Sequence, residues 1–125
     1  MHRLSRPAAV WAAPILLMAL IFAFSAMPSD DVDRGALQFL LRKVLHFTEY
    51  ALLLVLWWRA LRTQVSANVA LGIALSITLV YAGTDEWHQS YVDGRVGTPW
   101  DVLLDATGAA AGAALILRRG QVVRA

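Results

Sequence analysis

The sequence predicts an all-α integral membrane bundle of four transmembrane helices with both termini on the cytoplasmic side. Three observations predict it. Apolar residues make up 58% of the 125-residue chain and charged residues only 16%, against roughly 45–50% and about 25% in soluble domains. The apolar residues gather into four runs, each approaching the roughly 17–25 residues a helix needs to cross the hydrocarbon core. Acidic residues and most of the arginines then fall at opposite ends of those runs.

The first run, residues 8–26, contains no charge. The second, 44–61, is interrupted in its first half by His46 and Glu49. The third, 67–84, is charge-free until Asp85, and the fourth, 99–117, carries Asp101 and Asp105 in its opening turns. No internal repeat or linker divides the chain, so residues 1–125 read as one membrane domain. The segment 35–43, GALQFLLRK, is amphipathic at helical spacing. It fits either a stretch lying in the membrane interface or an early start to the second helix. Segment 93–98, DGRVGT, reads as a turn, followed by Thr98 as N-cap, Pro99 in the first turn and Asp101 in a capping-box position. Residues 1–26 also have the basic start, apolar core and small-residue end of a secretory signal. The apolar run exceeds the roughly 7–15 residues of a signal core, so it is read as an uncleaved helix; cleavage would leave three spans.

Orientation follows from the basic residues. With four crossings, Arg3, Arg6, Arg59, Arg62, Arg118, Arg119 and Arg124 all lie on one side, which the positive-inside rule makes cytoplasmic. The other side holds Arg34, Arg42, Lys43 and Arg95 with all nine acidic residues. Trp11, Trp57 and Trp58 fall near the inner boundary and Trp87 and Trp100 near the outer one, as interfacial aromatic belts require. These features place the protein in a cell membrane as a multi-pass protein with membrane lipid as its first partner. A net charge of +2 is too small to point to nucleic acid. The absence of cysteine removes disulfides, thiolate nucleophiles and cysteine metal sites.

The candidate site is built from the outer ends of three helices. Lys43, His46 and Glu49 recur every three residues on the second helix. Asp85 and Glu86 close the third, followed by His88 and Gln89. Asp101, Asp105, Gly108 and Gly112 recur at spacings of four, three and four on the fourth. An ionisable side chain at the centre of a membrane helix costs roughly 2.5–3.5 kcal/mol on insertion scales. Glu49 and Asp105 are therefore expected to turn inward, paired with Lys43, His46 or Arg95 or wetted by a cavity. Blander roles stay open for several residues. Arg34, Arg42 and Lys43 also suit interfacial anchors, Asp101 a helix cap, Gly108 and Gly112 simple close packing, and Asp30, Asp31 and Asp33 a solvated loop. His46, Glu49, Asp85, Glu86 and His88 are metal-ligating residue types, but no H-E-x-x-H occurs and His2 is the only other histidine. No metal and no cofactor are therefore expected. There is also no glycine-rich phosphate loop and no Gly-x-Ser-x-Gly elbow.

The run from Asp85 to Gly112, DEWHQSYVDGRVGTPWDVLLDATGAAAG, resembles the signature of the VanZ-like family of small bacterial membrane proteins. Asp85, Glu86, Gln89, Tyr91, Gly94, Arg95, Thr98, Asp101, Val102, Asp105, Gly108 and Gly112 fall on its positions. The family's second-helix pattern is matched by Lys43, His46, Phe47, Glu49 and Tyr50. Asp93 stands where the family often has proline, and Asp105 where asparagine is common. The resemblance implies an extracytoplasmic, envelope-related role of the teicoplanin-resistance type, acting on a lipid-linked cell-wall precursor or a glycopeptide. Two other classes of function remain open on the residues alone. One is a membrane-embedded enzyme using His46, Glu49, Asp85 and Glu86 in acid–base chemistry on a lipid substrate. The other is proton- or ion-coupled transport, which the lack of ionisable residues in the inner halves of the helices disfavours.

Overall fold

The computed structural model describes residues 5–25, 35–91 and 99–120. They form four helices: α1 (Ser5–Ser25), α2 (Ala36–Leu61), α3 (Ala67–Gln89) and α4 (Pro99–Arg118). The described residues are all-α. The segments 26–34 and 92–98, with the expected turn, Thr98 and Arg95, lie outside the described residues.

Side-chain pairings give the helix directions. Trp11 of α1 meets Trp57 of α2 edge-on, with ring centroids 6.4 Å apart. The Tyr81 hydroxyl of α3 donates to the Met18 carbonyl of α1 at 2.5 Å, and the ring of His88 lies 4.6 Å from that of Phe22. Advancing along α1 therefore advances along α3, so these two run parallel, with α2 antiparallel to both. On the other side Lys43 meets Asp101 and His46 meets Asp105, so α4 runs parallel to α2. Helix α2 is central and touches the other three, its largest interface being with α4; α1 and α4 make no contact among the described residues.

The α2–α4 interface is close because of two glycines. A Cβ at Gly108 would lie 2.4 Å from the Phe47 carbonyl oxygen, and one at Gly112 would lie 2.7 Å from that of Ala51. Real Cβ atoms essentially never come this near, so only glycine permits the backbone contact. Next to it, Leu54, Trp58, Ala70, Ala74, Ala109 and Ile116 form one apolar cluster; Ile21, Tyr50, Leu53 and Ala82 form a second, towards α1. Trp58, expected in an interfacial belt, is instead buried. Its indole N–H donates to the Ala67 carbonyl at 3.1 Å and ties the end of α2 to the start of α3. Trp87 does lie on the surface, 66% exposed, with its ring 5.4 Å from that of exposed Tyr91.

Two boundaries differ from the apolar runs. Helix α2 begins at Ala36, so the amphipathic segment is its first turns. Helix α3 continues to Gln89 rather than stopping at the first acids, because Asp85, Glu86 and Gln89 all turn into the bundle and are buried. Ser66 caps α3 at its other end, its hydroxyl accepting from the Val69 amide at 3.3 Å. Pro14 lies inside α1 and is buried.

Burial departs from that of a water-soluble bundle. Asp85, Asp105, Thr78 and Gln89 are buried, whereas Leu16, Phe22, Phe24, Leu40, Leu45, Val80 and Leu103 are exposed. Water would penalise that surface, since soluble monomers rarely expose contiguous apolar patches of such extent. By length and composition, Leu40–Leu61 and Ala67–Gln89 are long and apolar enough to cross a membrane, and Ala8–Phe24 is a shorter apolar helix. Helix α4 is not among them: its 20 residues carry Asp101 and Asp105 and are rich in alanine and glycine.

Candidate functional site

Three helices bring polar side chains together within the bundle, at the end formed by the starts of α2 and α4 and the finish of α3. At the mouth, the Lys43 ammonium donates to Asp101 Oδ1. Both groups are only partly exposed, 30% for Lys43 and 15% for Asp101, and the pair joins the third turn of α2 to the first turn of α4. One turn deeper, His46 Nδ1 lies 3.5 Å from Asp105 Oδ1. Asp105 is 1% exposed, and neither of its carboxylate oxygens accepts a hydrogen bond.

The third helix adds Asp85, 2% exposed. Its Oδ2 accepts from the Tyr50 hydroxyl at 3.1 Å and from the Gln89 amide at 3.1 Å, while Oδ1 accepts nothing. The Gln89 contact exists because α3 remains helical through this segment: residues four apart share a face. Ligating atoms of His46, Asp85 and Asp105 all lie within 4.8 Å of one another. The His46 ring stacks along Tyr50, centroids 6.4 Å apart and planes 16° from parallel, so a wholly buried phenol forms the floor under the imidazole.

The remaining candidates are placed differently. Glu49 lies in electrostatic reach of His46, Asp85 and Asp105 but is only half-buried. An α-helix turns about 100° per residue, so a three-residue repeat drifts: Lys43, His46 and Tyr50 stay on the buried face while Glu49 rotates to its edge. Glu86 is buried one residue beyond Asp85 and stands outside the His46–Asp85–Asp105 group. His88 faces α1 through Phe22 and does not join it either. Arg95 lies outside the described residues. Gly108 and Gly112 act below the polar groups by holding α4 against α2, which brings Asp105 within reach of His46.

The structure adds Tyr50 to the site, and the sequence carries a signal for it: Tyr50 lies four residues after His46, closer to the helical face than Glu49. The arrangement can hold a buried negative charge, relay a proton between imidazole and carboxylate, or present converging oxygen and nitrogen donors. At the opposite end of α2 and α4, Arg59 and Arg119 flank an apolar groove lined by Val55, Trp58, Leu115 and Ile116. The carboxylates of these two helices therefore lie at the end away from Arg59, Arg118 and Arg119, while Arg42 lies at the carboxylate end.

No curated protein and no solved structure is matched by the chain. Over residues 10–120, nearly its whole length, it matches the family described as VanZ/LLP1. With two helices apolar enough to cross a membrane, a match over residues 10–120 and the polar residues of α2, α3 and α4 gathered at one end, this chain belongs to the VanZ-like family.

Proposed function

We propose that all four helices cross the bacterial plasma membrane with both termini cytoplasmic, and that the polar site opens to the outer face. There the protein acts in the cell envelope on a lipid-linked cell-wall precursor or a glycopeptide, in the manner of teicoplanin resistance. One observation carries the reading: buried Asp85 and Asp105 with His46 lie at the end of the bundle opposite Arg59, Arg62, Arg118 and Arg119. Arginines retained inside orient that end to the cytoplasm. Carboxylates buried in a membrane bundle mark function by default, because their insertion is costly.

Deleting the gene is expected to raise teicoplanin susceptibility, wild type to restore resistance, and Asp105→Asn or Glu49→Gln to restore it only in part. Unchanged susceptibility to teicoplanin and vancomycin on both deletion and overexpression removes the resistance role.

The contact of His46 with Asp105 favours a second reading, acid–base chemistry on a lipid substrate, since a carboxylate orients an imidazole and stabilises its protonated form. Under it, purified protein turns over a lipid-linked phosphate and His46→Ala abolishes the turnover. A broad lipid panel without turnover rules this reading out.

A further inference from the structure

The geometry points to a divalent transition-metal site formed by His46, Asp85 and Asp105, one ligand from each of α2, α3 and α4. It goes beyond the envelope reading and does not depend on it. Asp105 comes from α4, far along the chain from His46 on α2, and the fold brings both together with Asp85 of α3. One donor atom from each residue lies within 4.8 Å of the other two. Ligands about 2.0–2.2 Å from a shared zinc ion stand some 3–4 Å apart, so the widest separation in the group needs to close by about 1–2 Å.

Three further observations distinguish this group from an ordinary acidic cluster. Asp85 and Asp105 are 2% and 1% exposed, yet Asp85 Oδ1 and both oxygens of Asp105 accept no hydrogen bond. A buried anion in this condition is costly unless a cation compensates it. No lysine or arginine pairs with either carboxylate among the described residues, and Lys43 is engaged by Asp101. A divalent ion balances two carboxylates and a neutral imidazole to zero net charge, which is the favourable state in a low-dielectric interior.

The surroundings are also those of a metal ligand. Tyr50 and Gln89 both donate to Asp85 Oδ2, fixing the carboxylate and leaving Oδ1 for the ion, as outer partners commonly do. One imidazole nitrogen with carboxylate oxygens is a donor set that Zn²⁺ accepts, and the usual affinity order places Zn²⁺ above Mn²⁺. Three protein ligands leave a position for water or for an oxygen of a bound molecule.

The test uses the full chain, purified in detergent without a polyhistidine tag, stripped with chelator and titrated with Zn²⁺ by calorimetry. One Zn²⁺ per chain is expected, with affinity falling at least tenfold in Asp105→Asn and in Asp85→Asn, and unchanged in His88→Phe. Zn²⁺ is also expected to raise the melting temperature of the wild type and not of Asp105→Asn, a comparison that shows both proteins are folded. No binding by the wild type, binding that both aspartate variants retain, or binding lost only in His88→Phe overturns the site. Glycopeptide susceptibility enters none of these outcomes, so this inference and the envelope reading fail separately.

Discussion

Gly108→Val is expected to separate α2 from α4 and to leave little folded protein. At Gly108 even the first carbon of a side chain meets the Phe47 carbonyl oxygen at 2.4 Å, and the obstacle is backbone rather than a side chain that can swing aside. Overpacking a well-filled interior costs about 1–3 kcal/mol and occasionally more. Gly108→Ala should fall within that range and valine above it. Gly112→Ala, at 2.7 Å from the Ala51 carbonyl oxygen, should be slightly milder. Gly72 and Gly83 on α3 have nothing within 4 Å of a built Cβ. Alanine there should be neutral or gain up to about 1 kcal/mol from helix propensity. Unfolding of the purified protein in detergent compares the four positions directly. If Gly108→Val and Gly72→Ala unfold together, α2 and α4 are not in backbone contact.

The second large effect belongs to Asp85. Replacing it with alanine leaves the Tyr50 hydroxyl and the Gln89 amide, both buried, without the acceptor they share at 3.1 Å. A buried donor left unsatisfied, as the Tyr50 hydroxyl would be, costs about 1–3 kcal/mol, and a cavity adds to that. Removing one of two neighbouring carboxylates also relieves repulsion, which offsets part of the loss. The expected net destabilisation is about 2–4 kcal/mol. Asp85→Asn keeps an acceptor oxygen while removing the charge, so it should cost less than alanine. Tyr50→Phe alone should cost about 1–2 kcal/mol, because its bond goes to a carboxylate. The decisive measurement is the double-mutant cycle. Once Asp85 is gone, Tyr50→Phe should cost almost nothing, giving a coupling energy of at least about 1 kcal/mol. Strict additivity would mean that the two side chains do not interact.

Much of this architecture is legible in the chain itself. Four apolar runs correspond to four helices, and 67 and 99 are the first residues of α3 and α4 in both the pattern and the fold. The opening of α2 is less legible. An amphipathic segment satisfies an interfacial stretch and a helix extension equally, and only packing against α4 through the Lys43–Asp101 pair distinguishes them. The end of α3 is obscured for a similar reason. Charged residues at the edge of an apolar run signal its end, unless they point into a bundle that satisfies them. Asp85 and Gln89 do point inward, so the helix continues. Trp58 misleads in the opposite sense, because an indole near a helix end suits both a membrane interface and a buried hydrogen bond.

The sequence by itself determined the helical class, the family and the residue types concentrated at one end, since these depend on composition, on run length and on residues at set spacings along one chain. Tertiary structure alone decided the partners. Asp101 goes to Lys43, Asp105 to His46, and Asp85 to Tyr50 and Gln89, while Glu49 sits half-buried at the edge of that core and His88 faces Phe22 of α1. The physical reason is rotation and register. A helix rotates each side chain by about 100° from the last, so a spacing only approximately defines a face. Which face meets which neighbour depends on how closely two backbones approach, and here that distance is governed by two glycines whose contacts lie about sixty residues away in the chain.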